Sequence, residues 1–329
     1  MDIGKVKNEI GRTYQKALVT GGAGFIGSNI IEELLEIGID VVSVDSYVAG
    51  KRQNIETFLS NKNFSDVKCD VSDYDELKRC FDGVDIVFHE AASKKNVCLK
   101  DPRQDLVVNG IGAFNILELS LDFGVKKVVH ASTGSVYGEA QIIPQTESHP
   151  LNPISYYGVS KLAGERYAKA FESLHGLDIT ILRYFHVYGP RQEWGTYGGV
   201  IPIFIYAILN GMRPTIFGDG TQERSFTYVK DVVNANLFVA VNDQSKGEEY
   251  NCASGVSITV KQMCEEMLTR MGREDLTPLY DDWAIGDIRK FNISNDKLCS
   301  LGFEFQTSFD LGLDKTIEDY VNRFKRGLL

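Results

Sequence analysis

The stretch "KALVTGGAGFIGSNIIEELLEIG", residues 16–38, admits few folds. An apolar run of strand length meets a glycine turn, and the turn opens a segment of helical period that stops at Gly38. Gly21, Gly24 and Gly27 stand at GxxGxxG spacing where the two join. Glycine lets the backbone turn tightly and approach a bound anion, and the free N–H groups at a helix N-terminus attract a pyrophosphate. The segment reads as a dinucleotide site, with a turn that only packs helix on strand as the alternative.

The alternation continues along the chain. "DVVSVDS", "VKCDV", "DIVFHEAA", "VKKVVHAS" and "DITILRYFHVYG" read as strands. "SDYDELKRCF", capped by Ser72 or Asp73, "NGIGAFNILELSLDFG" and "SYYGVSKLAGERYAKAFESLHG" read as helices. Strands alternating with helices predict an α/β fold with a doubly wound parallel sheet, ligands lying at the carboxyl ends of its strands. Beyond Gly189 the texture shifts to loops rich in Gly, aromatic and Arg residues, short strands such as "TIFG", and helices near 229–242, 258–271 and 310–326. The predicted organisation is an N-terminal extension over 1–16, a dinucleotide domain over 17–188 with 229–254 returning to it, and a smaller interleaved C-terminal lobe from 189–228 and 255–329.

A formal net charge of −10 argues against bulk nucleic-acid binding, which needs concentrated Lys and Arg. Six cysteines without a CxxC pair or a His at ligand spacing argue against a zinc site and a disulfide framework, so no metal is expected. The longest apolar run, "IPIFIYAIL", is nine residues, too short for a membrane span. The expectation is a soluble, cytoplasmic protein with reduced thiols.

Asp45 ends the second strand eighteen residues past Gly27, where a carboxylate can accept hydrogen bonds from ribose hydroxyls. Its charge repels a 2′-phosphate, so NAD is expected over NADP, with Lys51 and Arg52 pulling the other way. Asp70 and Val71 stand where adenine would lie, Asp70 serving equally well as a helix cap. "SYYGVSK" sets Tyr157 and Lys161 at i and i+4, on one helix face. An adjacent ammonium and a cationic nicotinamide favour a phenolate, which can take a hydroxyl proton while hydride leaves the same carbon. Thr133, in "ASTGSVYG", lies twenty-four residues before Tyr157.

"TGGAGFIG", "HEAA", "VYG", "YxxxK", "LRYFHVYGPRQ", "FGDGTQERSFTYVKDV", "YNCASG" and "GDIR" together resemble the extended short-chain dehydrogenase/reductases, in their nucleotide-sugar epimerase/dehydratase group, from Lys16 to the C-terminus. The resemblance implies a Rossmann domain holding NAD tightly and a nucleotide diphosphate-sugar in the smaller lobe. It implies that Tyr157 is the base for the sugar 4-hydroxyl, that Lys161 holds the nicotinamide ribose and lowers the Tyr157 pKa, and that Thr133 hydrogen-bonds the same sugar oxygen. Phe25, Ile26, Ala91, Ala92, Asn109 and Tyr184 are implied cofactor contacts. On the substrate side it implies Lys94, with Val200 and Phe217 flanking the base, Asp287 on the nucleotide ribose, and Arg224 and Arg289 on the phosphates, whose geometry the guanidinium fork matches. His186 replaces the Asn of the family's "RYFN" and reads either as a diphosphate contact or as a packed strand-end histidine.

In the 4,6-dehydratases of that group Asp and Glu follow the Thr, because an elimination needs acid–base help for a poor leaving group. Here those positions are Gly134 and Ser135. Oxidation at C4, rotation of the keto-sugar and return of hydride to its other face need no such pair. C4 epimerisation of a UDP-hexose is therefore expected, in the glucose/galactose or the N-acetyl series. Glu90, Lys94, Lys95 and Cys98 of "EAASKKNVC", together with Glu139, keep a dehydratase with an unusual acid–base set in view; a non-catalytic nucleotide-sugar or NAD sensor is a third reading. "GDIRKFNISNDKL" is about one residue shorter than the common epimerase form, which leaves the sugar series open. Helices 109–123 and 155–175 carry more apolar residues than the sheet needs, and family members commonly pair such helices, so a homodimer is expected.

Overall fold

The apolar runs become strands buried on both faces. In the computed structural model, which describes residues 1–93, 98–195, 198–283 and 292–329, β1 (Lys16–Thr20) is covered at all but its first residue and β4 (Ile86–His89) throughout. They join β2 (Asp40–Asp45), β3 (Phe64–Lys68), β5 (Lys127–Thr133), β6 (Ile179–Tyr184) and β11 (Glu249–Cys252) in a seven-stranded sheet of order β11-β6-β5-β4-β1-β2-β3. Every pairing in it is parallel, so crossover helices must cover both faces.

Alternate side chains serve the two faces. Ala17, Val19, Phe88 and Val129 pack with Ile30 and Leu34 of α2 (Phe25–Ile37) and Val232 and Leu237 of α8 (Val229–Ala240). Leu18, Val87 and Val128 pack with Ile116 of α5 (Ala113–Asp122) and Phe171 of α6 (Tyr156–His175). The first core runs on through Phe204 of α7 (Val200–Leu209), Met263 of α9 (Val260–Arg270) and Leu313 and Tyr320 of α11 (Phe309–Lys325). The smaller lobe thus shares a core with the sheet. Its short strands pair as β7 (Val187–Tyr188) with β10 (Thr227–Tyr228), β8 (Thr215–Phe217) with β13 (Leu279–Asp281), and β9 (Glu223–Ser225) with β12 (Ser257–Thr259). A short α10 (Asp296–Ser300) packs on β11.

Three local expectations change. The third strand lies at Phe64–Lys68 rather than over "VKCDV", because β3 is a half-exposed sheet edge that needs no apolar run, while Cys69 and Val71 are buried under the turn that follows. The helix after it shortens to α3 (Tyr74–Lys78), capped by Asp73, which accepts from Glu76 N at 3.1 Å. The helix expected from 109 instead starts as α4 (Pro102–Leu106) and passes through a π-helical stretch, Val107–Gly112, before α5. The N-terminal extension forms α1 (Ile3–Thr13), which buries Val6 and Ile10; Tyr14 then donates to Ala240 O at 2.5 Å. Among the described residues no helix is long and apolar enough to cross a membrane, and no cluster of His, Cys, Asp and Glu could hold a metal ion.

Candidate active site

At the carboxyl end of β1, α2 begins behind Gly24 with no side-chain cap, so its first N–H groups are left for an occupant of the cleft lined by Gly21, Gly24, Phe25, Ile26 and Gly27. Gly27 admits no side chain, since an added Cβ would stand 2.3 Å from Gly21 O. Across the cleft Asp45 accepts from Ala23 N at 3.0 Å and Tyr47 N at 2.8 Å. Burial pushes its carboxyl up, and those two N–H groups oppose the shift. Asp70 and Val71 line the same wall, the Asp70 carboxylate accepting from Ser72 N and the Ser72 hydroxyl. Lys51 and Arg52 are turned aside, Lys51 pairing with Glu193 at 2.5 Å and Arg52 with Asp66 at 3.8 Å. An uncapped helix end for a pyrophosphate and a carboxylate for a free ribose diol are a donor set that fits NAD.

The other end of the cleft carries Ala91, Ala92, Tyr157, Lys161 and Tyr184. Ser155 caps α6 by accepting from Gly158 N at 3.1 Å. Gly158 lets the helix abut the turn after β5, where an added Cβ would stand 2.6 Å from Ser135 O. That approach joins Tyr157 to Thr133, and the two hydroxyls share a hydrogen bond. Burial pushes the Tyr157 phenol up to about 12, with the Thr133 bond opposing. Burial pushes the Lys161 ammonium down to about 8, while Glu90, Glu165 and Asp105 hold it up. Glu90 also lines the cleft; burial pushes it up to about 7, against the bond it accepts from the Tyr184 hydroxyl at 2.8 Å and the charge of Lys161. His89, bonded to Thr20 through Nδ1, is pushed down to about 3 by burial and stays neutral.

Buried polar groups brace this end. Asn109 is not in the cleft wall: its amide accepts from Ser93 N at 2.9 Å and donates to Asp105 Oδ1 and Ser160 Oγ, both at 3.0 Å, tying the loop after β4 to α4 and α6. Arg183 of β6 grips Glu165 of α6 with two bonds, at 2.9 and 2.7 Å, and donates to the Tyr137 hydroxyl at 2.8 Å. Ser132, beside Thr133, donates to the same Glu165 at 2.5 Å.

Of the expected substrate residues, Val200, Phe217, Arg224 and His186 lie outside this cleft's wall. Val200 opens α7, Phe217 ends β8 and is 47% exposed, and Arg224 of β9 is buried, donating to Glu223 O at 2.9 Å. His186 adopts φ 37°, with its ring edge-on to Phe226 at 5.9 Å. Lys94, Lys95, Asp287 and Arg289 lie outside the described residues. Glu139 is exposed and not in the cleft wall, whereas Cys98 is buried near enough to Tyr157 to raise its pKa. Sequence reasoning missed Gly50, Arg191 and Glu193 in the cleft wall, because they come from loops with no periodic signal; of the three, only Arg191 falls within "LRYFHVYGPRQ".

Residues 17–253 match the NAD dependent epimerase/dehydratase family, and the chain belongs to it. A UDP-glucose 4-epimerase of Mycolicibacterium smegmatis is 35% identical over 94% of this chain and 99% of its own. The structure of a UDP-glucose 4-epimerase from Thermotoga maritima, solved with UDP-glucose, superimposes with a TM-score of 0.88 at 36% identity, covering 94% of this chain and 99% of that one. A dTDP-glucose 4,6-dehydratase of Streptomyces venezuelae, solved with NAD, also reaches 0.88, at 30% identity over 95% of this chain and 99% of its own.

Proposed function

We propose that the protein is an NAD-dependent UDP-hexose 4-epimerase. The observation that carries this reading is the turn after Thr133. The dehydratase pattern requires an acidic side chain at the next position, and here Phe185 fills that space: a Cβ on Gly134 would stand 2.2 Å from its ring. Ser135 is turned inward, its hydroxyl accepting from Thr133 at 3.3 Å. The site keeps the groups for oxidation at C4 and lacks the pair that eliminates water.

In this reading Tyr157 receives the 4-hydroxyl proton, Thr133 holds the same oxygen and favours the phenolate against the burial that opposes it, and Lys161 holds the nicotinamide ribose. Bound NAD supplies a hydride acceptor for C4 and a donor for the opposite face. Gly21, Gly24, Phe25, Ile26, Gly27, Asp45, Asp70, Val71, Ala91, Ala92 and Tyr184 form its cradle, and Asn109 positions that cradle from behind. The nucleotide diphosphate rests with Val200, Phe217, His186 and Arg224, joined by Lys94, Asp287 and Arg289.

Incubation with UDP-glucose and with UDP-N-acetylglucosamine, followed by proton NMR, is expected to yield the C4-inverted sugar from at least one of them. A 4-keto-6-deoxy or unsaturated product would favour the dehydratase reading, and absence of turnover the sensor.

The protein also pairs with a second copy through α6 and the π-helical stretch that leads into α5, where Ile111, Val159, Tyr167 and Leu174 are 44–75% exposed. Sedimentation equilibrium is expected to return twice the chain mass, and the Tyr167→Glu/Leu174→Glu variant the single mass. A monomeric wild type rejects the pairing.

A further inference from the structure

Two loops meet over the dinucleotide cleft. Residues 46–51, after β2, supply Ser46, Val48, Ala49 and Gly50 to its wall, and residues 189–195, after β7, supply Arg191 and Glu193. Each loop has its own anchors. Lys51 N and Asn54 Nδ2 both donate to Ala23 O at 2.9 Å, and Gly50 lies so close to Asp45 that an added Cβ would stand 2.6 Å from either carboxylate oxygen. Arg191 donates to Ser28 O at 3.1 Å and Glu32 at 2.7 Å, and the Tyr320 hydroxyl donates to Gln192 O. Between the loops runs the ion pair of Lys51 Nζ with Glu193 Oε2 at 2.5 Å, and beyond the first loop the Arg191 guanidinium lies 5.5 Å from the Phe58 ring. Glu193 is aimed by the bond its other oxygen accepts from Gly195 N at 3.1 Å.

We infer that the Lys51–Glu193 ion pair is a latch that closes the cleft over the adenosine half of the bound dinucleotide and limits its escape. This inference rests on the reading of the cleft as an NAD site. It has a chemical use in that reading. An epimerase takes up and returns the same hydride within one turnover, so its dinucleotide need never leave, unlike that of a dehydrogenase, which must exchange it. Neither side chain has to touch the nucleotide, because opening the mouth requires parting the two loops, and the pair resists that parting.

The test is release of bound dinucleotide from the holoprotein into activated charcoal, sampled over time and quantified after acid release. Lys51→Met and Glu193→Gln are each expected to speed release by about 5-fold, the upper range for a partly exposed ion pair. The double variant should be no faster than either single one, since both remove the same interaction. The charge-swapped Lys51→Glu/Glu193→Lys variant should return toward the wild-type rate. Added salt should speed release from wild type and leave Lys51→Met unchanged, a comparison that survives even if a variant at Glu193 folds poorly. Wild-type rates in both single variants, or multiplicative effects in the double, overturn the latch while leaving the NAD site standing. A wild type that neither carries nor takes up NAD overturns the cofactor reading and the latch with it.

Discussion

Tyr157→Phe is expected to lower kcat about a thousandfold, within the range for removing a general base, while UDP-sugar binding changes little. The phenylalanine ring fills the same space in the cleft beside Lys161, so the substitution removes one hydroxyl and leaves the packing of α6 intact. What is lost is the proton acceptor and the bond that Thr133 shares with it. Thr133→Val, which removes the same bond from the other side, is expected to lose less, because the phenol remains. Steady-state kinetics set against calorimetric UDP-sugar affinity check both. A Tyr157→Phe enzyme within tenfold of wild type would take Tyr157 out of the mechanism.

The second large effect is on stability. Arg183→Met leaves Glu165 buried without its guanidinium, and breaking such a pair costs about 3–5 kcal/mol. The Arg183 guanidinium is expected to stay charged throughout, since its bonds to Glu165 outweigh the burial that opposes them. For a chain of this size the thermal midpoint should fall by roughly 4–7 °C. Replacing both partners, as in Arg183→Met/Glu165→Leu, should cost less than the sum of the two single changes, because no lone charge is then buried. Thermal unfolding of the three variants decides it; additive losses would mean that the two side chains act separately. The pair ties β6 to α6 and, through Ser132, to the end of β5, so the single variants should also misplace Tyr157 relative to Thr133.

These two expectations differ in how far the chain alone could have carried them. Tyr157 and Lys161 are four residues apart on one helix, and α-helical geometry by itself brings them to one face. The Arg183–Glu165 pair joins a strand to a helix, and nothing in "AGERY" or "TILRY" marks either residue as buried. Edge effects misled as well. β3 is displaced from its most apolar run because an edge strand is held by backbone pairing to β2 more than by burial.

What the sequence by itself determined is whatever has a local cause. The strand, glycine turn and helix of residues 16–38, Asp45 at the end of β2, and the absence of an acidic pair after Thr133 all follow from backbone geometry or residue identity within a few positions. Only the tertiary structure decided which distant groups meet. The parallel strand order sets the ends of β1, β4, β5 and β6 side by side, so that Thr133 reaches Tyr157 and Glu90 reaches Tyr184. The same order carries the loop after β7 back across the cleft, where Glu193 reaches Lys51. Side-chain chemistry is written along the chain, but contact between residues far apart in it depends on how the strands are ordered, and that order is fixed by burying both faces of the sheet at once.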